Sequence, residues 1–195
     1  MVEKAQMVQM RWHSRGGQGA KTAADFFTQV AISEGKYSQA FPEYGPERSG
    51  APMRSYTRMS SEAIKLHSAV YEPDVVVIVD PTLIGPVNVL EGLSKQGTVL
   101  INTQLSPEEA RKQYGIQGYK VYTIDATTIA LQTLGRPIPN MPMVGALVKA
   151  TGLVKLDHVI EGLRQSFSGK FGKDVVEKNV KAINRAYEEV KSENA

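Results

Sequence analysis

Asp74-Val75-Val76-Val77-Ile78-Val79-Asp80 sets five consecutive β-branched apolar residues between two carboxylates. An uninterrupted run of this kind buries both faces of a strand, as in a parallel sheet with helices on each side. Working outward, Thr98 to Asn102 and Tyr119 to Ile124 read as further strands, and Met7 to His13 alternates Val8, Met10 and Trp12 against polar neighbours. Apolar residues at helical spacing follow the first strand (Ala20, Ala23, Ala24, Phe27, Ala31) and stop at Gly35. Further helices are expected over Pro86 to Lys95, over Asn140 to Ala150 before Gly152, and over Asp157 to Phe167. A last helix carries Val176, Val180, Ile183, Tyr187 and Val190 on one stripe. Ser106-Pro107-Glu108-Glu109 holds a capping box, and Asp125 stands where it can cap the helix after its strand. Alternating strands and helices define an α/β chain with a Rossmann-like, open, mostly parallel sheet and helices on both faces. The expected organisation is a single domain over 1–195, with 153–195 as C-terminal helices.

Between the first helix and the Asp74 strand the pattern breaks. Pro42 to Pro52 holds three prolines and two glycines in eleven positions, a loop of the length that often carries function. Met53 to Met59 is expected to be a strand, paired as a hairpin with Ile64 to His67. At the other end of the first helix, Ser14-Arg15-Gly16-Gly17-Gln18-Gly19 makes a tight turn between strand and helix. Such a turn presents backbone amides and a helix dipole to an anion. Gly16 and Gly19 fit two positions of the dinucleotide fingerprint, but Ser14 takes the first, and no acidic residue follows at the end of an evident second strand. Arg15 and Ala20 occupy the glycine positions of a P-loop. The bland alternative is that these glycines only let the chain turn sharply and pack close.

Composition narrows the function. Of 195 residues, 42% are hydrophobic and 22% charged, which is ordinary globular usage. The longest uninterrupted apolar run, Val75 to Val79, is far too short to span a bilayer, and no secretory signal pattern is visible, so a cytoplasmic protein without membrane attachment is expected. The absence of cysteine excludes disulfides, cysteine nucleophiles and iron–sulfur clusters ligated by this chain. Three dispersed histidines give no metal-ligand spacing. A net charge of +3 advertises no nucleic-acid footprint. Five of the nine arginines (Arg11, Arg15, Arg48, Arg54, Arg58) nonetheless fall within residues 1–58. They are either scattered surface charge or an anion or partner surface.

The runs Arg15-Gly16-Gly17-Gln18-Gly19-Ala20 and Tyr44-Gly45-Pro46-Glu47-Arg48-Ser49-Gly50, in this order, resemble the gamma subunit of 2-oxoacid:ferredoxin oxidoreductases, the pyruvate type in particular. The Asp-Pro end of the Asp74 to Pro81 strand, the Asn102 strand end and Gly145-Ala146-Leu147 are similar as well, so the resemblance spans about residues 8–165. It implies a complex that decarboxylates a 2-oxoacid with coenzyme A, giving an acyl-CoA, carbon dioxide and reduced ferredoxin. Thiamine diphosphate with Mg2+ and the 4Fe–4S clusters are then held by companion subunits of alpha, beta and delta type, with no catalytic residue and no cofactor on this chain alone. Arg15, Gly16, Gly17, Gln18 and Gly19 are the candidate turn for coenzyme A or for docking. Tyr44, Glu47, Arg48 and Met53 are the candidate partner-binding residues, since a proline-stiffened loop loses little entropy on binding. The rival readings are a stand-alone nucleotide-binding oxidoreductase and a non-enzymatic binding module.

Overall fold

A computed structural model describes residues 7–43 and 50–193. Tyr44, Glu47 and Arg48 therefore lie outside the described residues. The strands are β1 (Val8–Arg15), β2 (Tyr37–Glu43), β3 (Pro52–Ser60), β4 (Val75–Ile78), β5 (Thr98–Asn102), β6 (Lys120–Ile124) and β7 (Lys191–Ser192). The helices are α1 (Ala20–Ser33), α2 (Pro107–Tyr114), α3 (Ala126–Leu134), α4 (Asn140–Thr151), α5 (Leu156–Phe167) and α6 (Lys173–Glu189). All seven strands share one sheet in the order β2-β3-β1-β4-β5-β6-β7. Its centre, β1-β4-β5-β6, is parallel, and β2, β3 and β7 join it antiparallel to their neighbours.

The Asp74 run divides as a two-faced strand must. Val75, Val77 and Val79 enter one core with Met10, Trp12 and residues of α1, α3, α4, α5 and α6. Val76 and Ile78 enter a second core with Val99, Ile101, Ala110 of α2 and Leu83 and Leu93 from the turns after β4. The helix signals hold as well. Ser106 and Glu109 form the reciprocal capping box of α2, the Asp125 side chain caps α3, and Gly152 ends α4 in the left-handed conformation. The 153–195 segment supplies α5 and α6, and then returns to the sheet edge as β7.

Two expectations fail for one physical reason. Residues 86–95 form turns instead of a helix, and Ile64 to His67 pairs with no strand. The hairpin partner of β3 is β2, which runs from residues where the pattern predicts no element into the first two of the Pro42 to Pro52 loop; Pro42 is tolerated there because β2 is an edge strand. Residues 68–70, directly after Ile64 to His67, and Val89 and Glu91 within the other segment lie over a buried polar patch. Arg11, 4% exposed, donates to the carbonyls of Val70, Val89 and Glu91. Arg58, 1% exposed, donates to those of Ser68 and Ala69 and lies over the Phe41 ring. A buried guanidinium needs acceptors. Carbonyls freed from helix and strand ladders have both lone pairs to offer, and irregular chain supplies most of the acceptors, although Arg58 Nη1 is buried without one.

A candidate site beyond the ends of β1 and β4

β1 and β4 are parallel neighbours whose chains leave in opposite directions. β1 runs through the glycine turn into α1 on the side of the first core, whereas β4 runs into a 3-10 turn, Pro81–Leu83, whose Leu83 lies in the second. A divergence of this kind opens a crevice at the carboxyl ends of the strands, the usual ligand position in open α/β sheets.

Asp80 ties the two departing chains together. Its Oδ1 accepts from the Thr82 amide at 2.9 Å and the Thr82 hydroxyl at 2.6 Å. Its Oδ2 accepts from Gln18 Nε2 at 2.7 Å and lies 3.3 Å from Arg15 Nε. Burial alone would raise the carboxyl pKa. The bonds from Thr82 and Gln18, with the Arg15 charge, outweigh it and hold Asp80 below the usual carboxylate range. Gln18 Oε1 accepts from the Arg15 amide at 2.8 Å, so one side chain ties the turn to itself and to β4. Arg15 Nη1 reaches the Gly50 carbonyl and the Gly16 amide the Ala51 carbonyl, each at 3.1 Å, fastening the base of the 44–49 segment to the same turn.

Of the five turn residues, Arg15 and Gln18 thus have definite partners, and two glycines have steric reasons. Gly17 (φ 98°) and Gly19 (φ 78°) are left-handed, and a Cβ on Gly19 would stand 2.7 Å from the Asn140 side chain at the start of α4. No side chain caps α1, and its first turn holds no acidic residue. Replacing Asp80 with alanine takes the shared acceptor from three donors, two on the exposed Thr82 and one on the half-buried Gln18. The expected loss is about 1–2 kcal/mol, read as a lower urea midpoint; a loss under about 0.5 kcal/mol would show that the network does not hold the turn.

Met53 is half-buried and lines a cavity of about 260 Å³ with His13, Glu43, Arg54, Leu83 and Val87. In this corner Glu43 lies 3.6 Å from Arg54 and accepts from the Tyr56 hydroxyl. Burial, then the Glu43 hydrogen bond and charge, push the Tyr56 phenol up to about 12. The dinucleotide reading meets an obstacle here. Glu43 does end the second strand, but β3 separates β2 from β1, about 10 Å at ordinary strand spacing, and its carboxylate is engaged. Sequence reasoning missed Thr82 and Asn140. The Asp-Pro-Thr run after β4, a capping pattern, was the available signal for Thr82; Asn140 had none beyond its place at a helix start. Among the described residues no cluster of three or more His, Cys, Asp or Glu side chains is placed to hold a metal ion, and no helix is long and apolar enough to cross a membrane.

Sheet order, divergent crossovers and glycine turn together define an open α/β domain of Rossmann-like type with its candidate site at the strand switch. The chain belongs to the pyruvate ferredoxin/flavodoxin oxidoreductase family, whose model matches residues 9–189. It is 49% identical over 183 residues to pyruvate synthase subunit PorC of Thermotoga maritima, covering 94% of each chain. To the pyruvate/ketoisovalerate oxidoreductases common subunit gamma of Pyrococcus furiosus it is 47% identical, over 93% of this chain and 96% of that one. The crystal structure of pyruvate oxidoreductase subunit PORC from Thermotoga maritima superposes with a TM-score of 0.85 at 45% identity, covering 96% of this chain and 99% of that one. At 20% identity, 2-oxoglutarate:ferredoxin oxidoreductase from Magnetococcus marinus shares the fold, with a TM-score of 0.76 over 94% of this chain and 31% of that one.

Proposed function

We propose that this chain is the gamma-type subunit of a thiamine-diphosphate-dependent 2-oxoacid:ferredoxin oxidoreductase, with pyruvate as the first substrate to test. The full-length match to a subunit named for pyruvate synthase carries this reading. The absence of cysteine supports it, because clusters feeding ferredoxin then have their ligands on companion chains. Those companions, of alpha, beta and delta type, hold the thiamine diphosphate, Mg2+ and 4Fe–4S clusters. This chain contributes shape and surface in the cytoplasm.

The glycine turn serves docking more than phosphate binding. Arg15 is already engaged by Asp80, Thr82 and the Gly50 carbonyl, so an incoming phosphate would have to compete with a carboxylate for it. The turn instead holds Gly50 and Ala51, which follow Tyr44 and Arg48 in the chain, and Tyr44, Arg48 and Met53 are residue types that anchor interfaces. Arg48→Ala is expected to weaken assembly at least tenfold while leaving the Michaelis constant for coenzyme A of the assembled enzyme unchanged. An intact complex with a raised constant would assign the segment to coenzyme A instead.

The reading as a whole is tested by purifying a tagged chain from its native source. The expected result is co-purification of larger subunits with thiamine diphosphate and iron, and pyruvate-dependent, coenzyme A-dependent reduction of a viologen or ferredoxin. Isolation of the chain alone, with tight binding of NAD or a flavin, would overturn it.

A further inference from the structure

A concave surface lies beside the glycine turn, with Asn140, which packs against Gly19, in its lining. A cavity of about 470 Å³ is walled by Ile138, Phe167, Phe171 and Val175, with Arg136 and Lys178 at its margin. Phe167 and Phe171 meet with ring centroids 5.1 Å apart and planes tilted 48°, yet Phe171 is 52% and Val175 41% exposed. Apolar side chains left open beside a cleft, rimmed by cations, have the composition of an interface core.

The electrostatics point one way. Three helices begin at this cavity, since Thr22 of α1, Asn140 of α4 and Val175 of α6 all line it. None has a side-chain cap at its N-cap position, and the first turns of α1 and α4 hold no acidic residue. The acid in the first turn of α6, Asp174, is paired with Lys178 at 2.6 Å. Each helix start carries a partial positive charge of about half a unit. Arg136 in the cavity lining, and Lys170 and Lys173 close to Phe171 along the chain, are exposed and add full charges. Such a surface favours a partner that brings carboxylates together with one apolar anchor, and disfavours a second copy of itself, which would bring the same charges face to face.

We infer that this cavity is a docking site for a companion subunit, and that it takes an acidic segment with an aromatic or aliphatic side chain seated against Phe167, Phe171 and Val175. The inference rests on the reading of the chain as one subunit of a larger enzyme. It adds where a companion sits and what chemistry it offers there.

The test uses the chain co-expressed with its companion subunits. Phe171→Asp and the charge reversal Arg136→Glu are compared with wild type and with Tyr71→Asp, an exposed aromatic outside this cavity. Size-exclusion chromatography and titration read assembly; thermal melting of each chain alone reads folding. Expected are unchanged melting, assembly weakened tenfold or more by Phe171→Asp and by the charge reversal, a smaller salt dependence in the reversed variant, and wild-type assembly for Tyr71→Asp. In the wild-type complex, amide exchange over 167–178 should slow on assembly. Folded variants that assemble like wild type, or amides that exchange equally fast in the complex, would overturn the docking site and leave the subunit reading standing. Wild-type chain that fails to join any companion would overturn both. Concentration-dependent self-association abolished by Phe171→Asp would assign the cavity to a second copy and overturn the inference.

Discussion

Gly145→Ala should lower the stability of the chain by about 3 kcal/mol and its melting temperature by roughly 10 °C. Gly145 lies inside α4, where alanine would ordinarily gain up to about 1 kcal/mol in helix propensity. The packing reverses that sign. A Cβ at this position would stand 2.2 Å from the Ile183 carbonyl oxygen of α6 and 2.9 Å from its carbonyl carbon. Backbone cannot rotate out of the way as a side-chain end can, so the two helices must separate. Ile183 and Ala182 are fully buried, and separation opens the first core along that line. The contrast is Gly162 of α5, where an added Cβ would meet side-chain ends alone, the Val30 methyl at 3.2 Å and the Phe26 ring at 3.9 Å. Gly162→Ala should therefore stay within about 1 kcal/mol of wild type. Thermal and urea melts of both variants decide the matter; equal effects would mean that the approach of α4 to α6 is not what requires glycine. Assembly should suffer in the first variant as well, because α4 begins at Asn140, which packs against Gly19 and lines the docking cavity.

What could be read from the residues divides along the same physical line. The apolar run of β4, the capping box of α2 and the stripe of α6 are local patterns whose meaning depends on neighbours a few residues away, and the structure keeps each of them, whereas β1 is a strand that buries its polar face, Arg11 and His13, as well as its apolar one. The turns over 84–97 and 61–72 depend on partners far along the chain. Their carbonyls go to Arg11 and Arg58, about 60 to 80 positions away in the first case. Val87, Leu90 and Leu93 do lie at helical spacing and do pack into the second core, so the periodicity was present without the helix. β2 was hidden for a related reason. An edge strand has one free side, tolerates proline, and here mixes Ser38, Gln39 and Ala40 without clean alternation. At the site, the turn was evident as a glycine cluster. The partnership of Gln18 with Asp80 could be placed only once β1 and β4 were known to be parallel neighbours.

The same buried patch governs the response to acid. His13 is 1% exposed, and its Nε2 accepts from Arg11 Nε at 3.0 Å. Burial first, then the charges of Arg11 and Arg54, push its pKa down to about 3, against the slight opposing pull of its hydrogen bond to the Val89 carbonyl. The folded protein therefore holds His13 neutral where the unfolded chain, with an ordinary value of about 6.5, takes up a proton. Stability from this group is complete above pH about 6.5. It falls as the pH drops toward about 3, and below that value both states are protonated and no more is lost. Within the window the slope approaches about 1.4 kcal/mol per pH unit. Two units of acidification thus remove roughly 2–3 kcal/mol, a large part of an ordinary domain's stability of about 5–15 kcal/mol. His13→Gln keeps an acceptor for Arg11 and cannot titrate. Urea melts at pH 7, 6 and 5 should show the wild type losing stability across the series and the variant losing less by the stated slope. Parallel lines for the two proteins would mean that His13 takes up its proton without disturbing the fold. If the slopes differ as expected, the Arg11–His13 pair is a neutral acceptor held against a buried cation, and the irregular segments over it are folded around that pair's need for carbonyls.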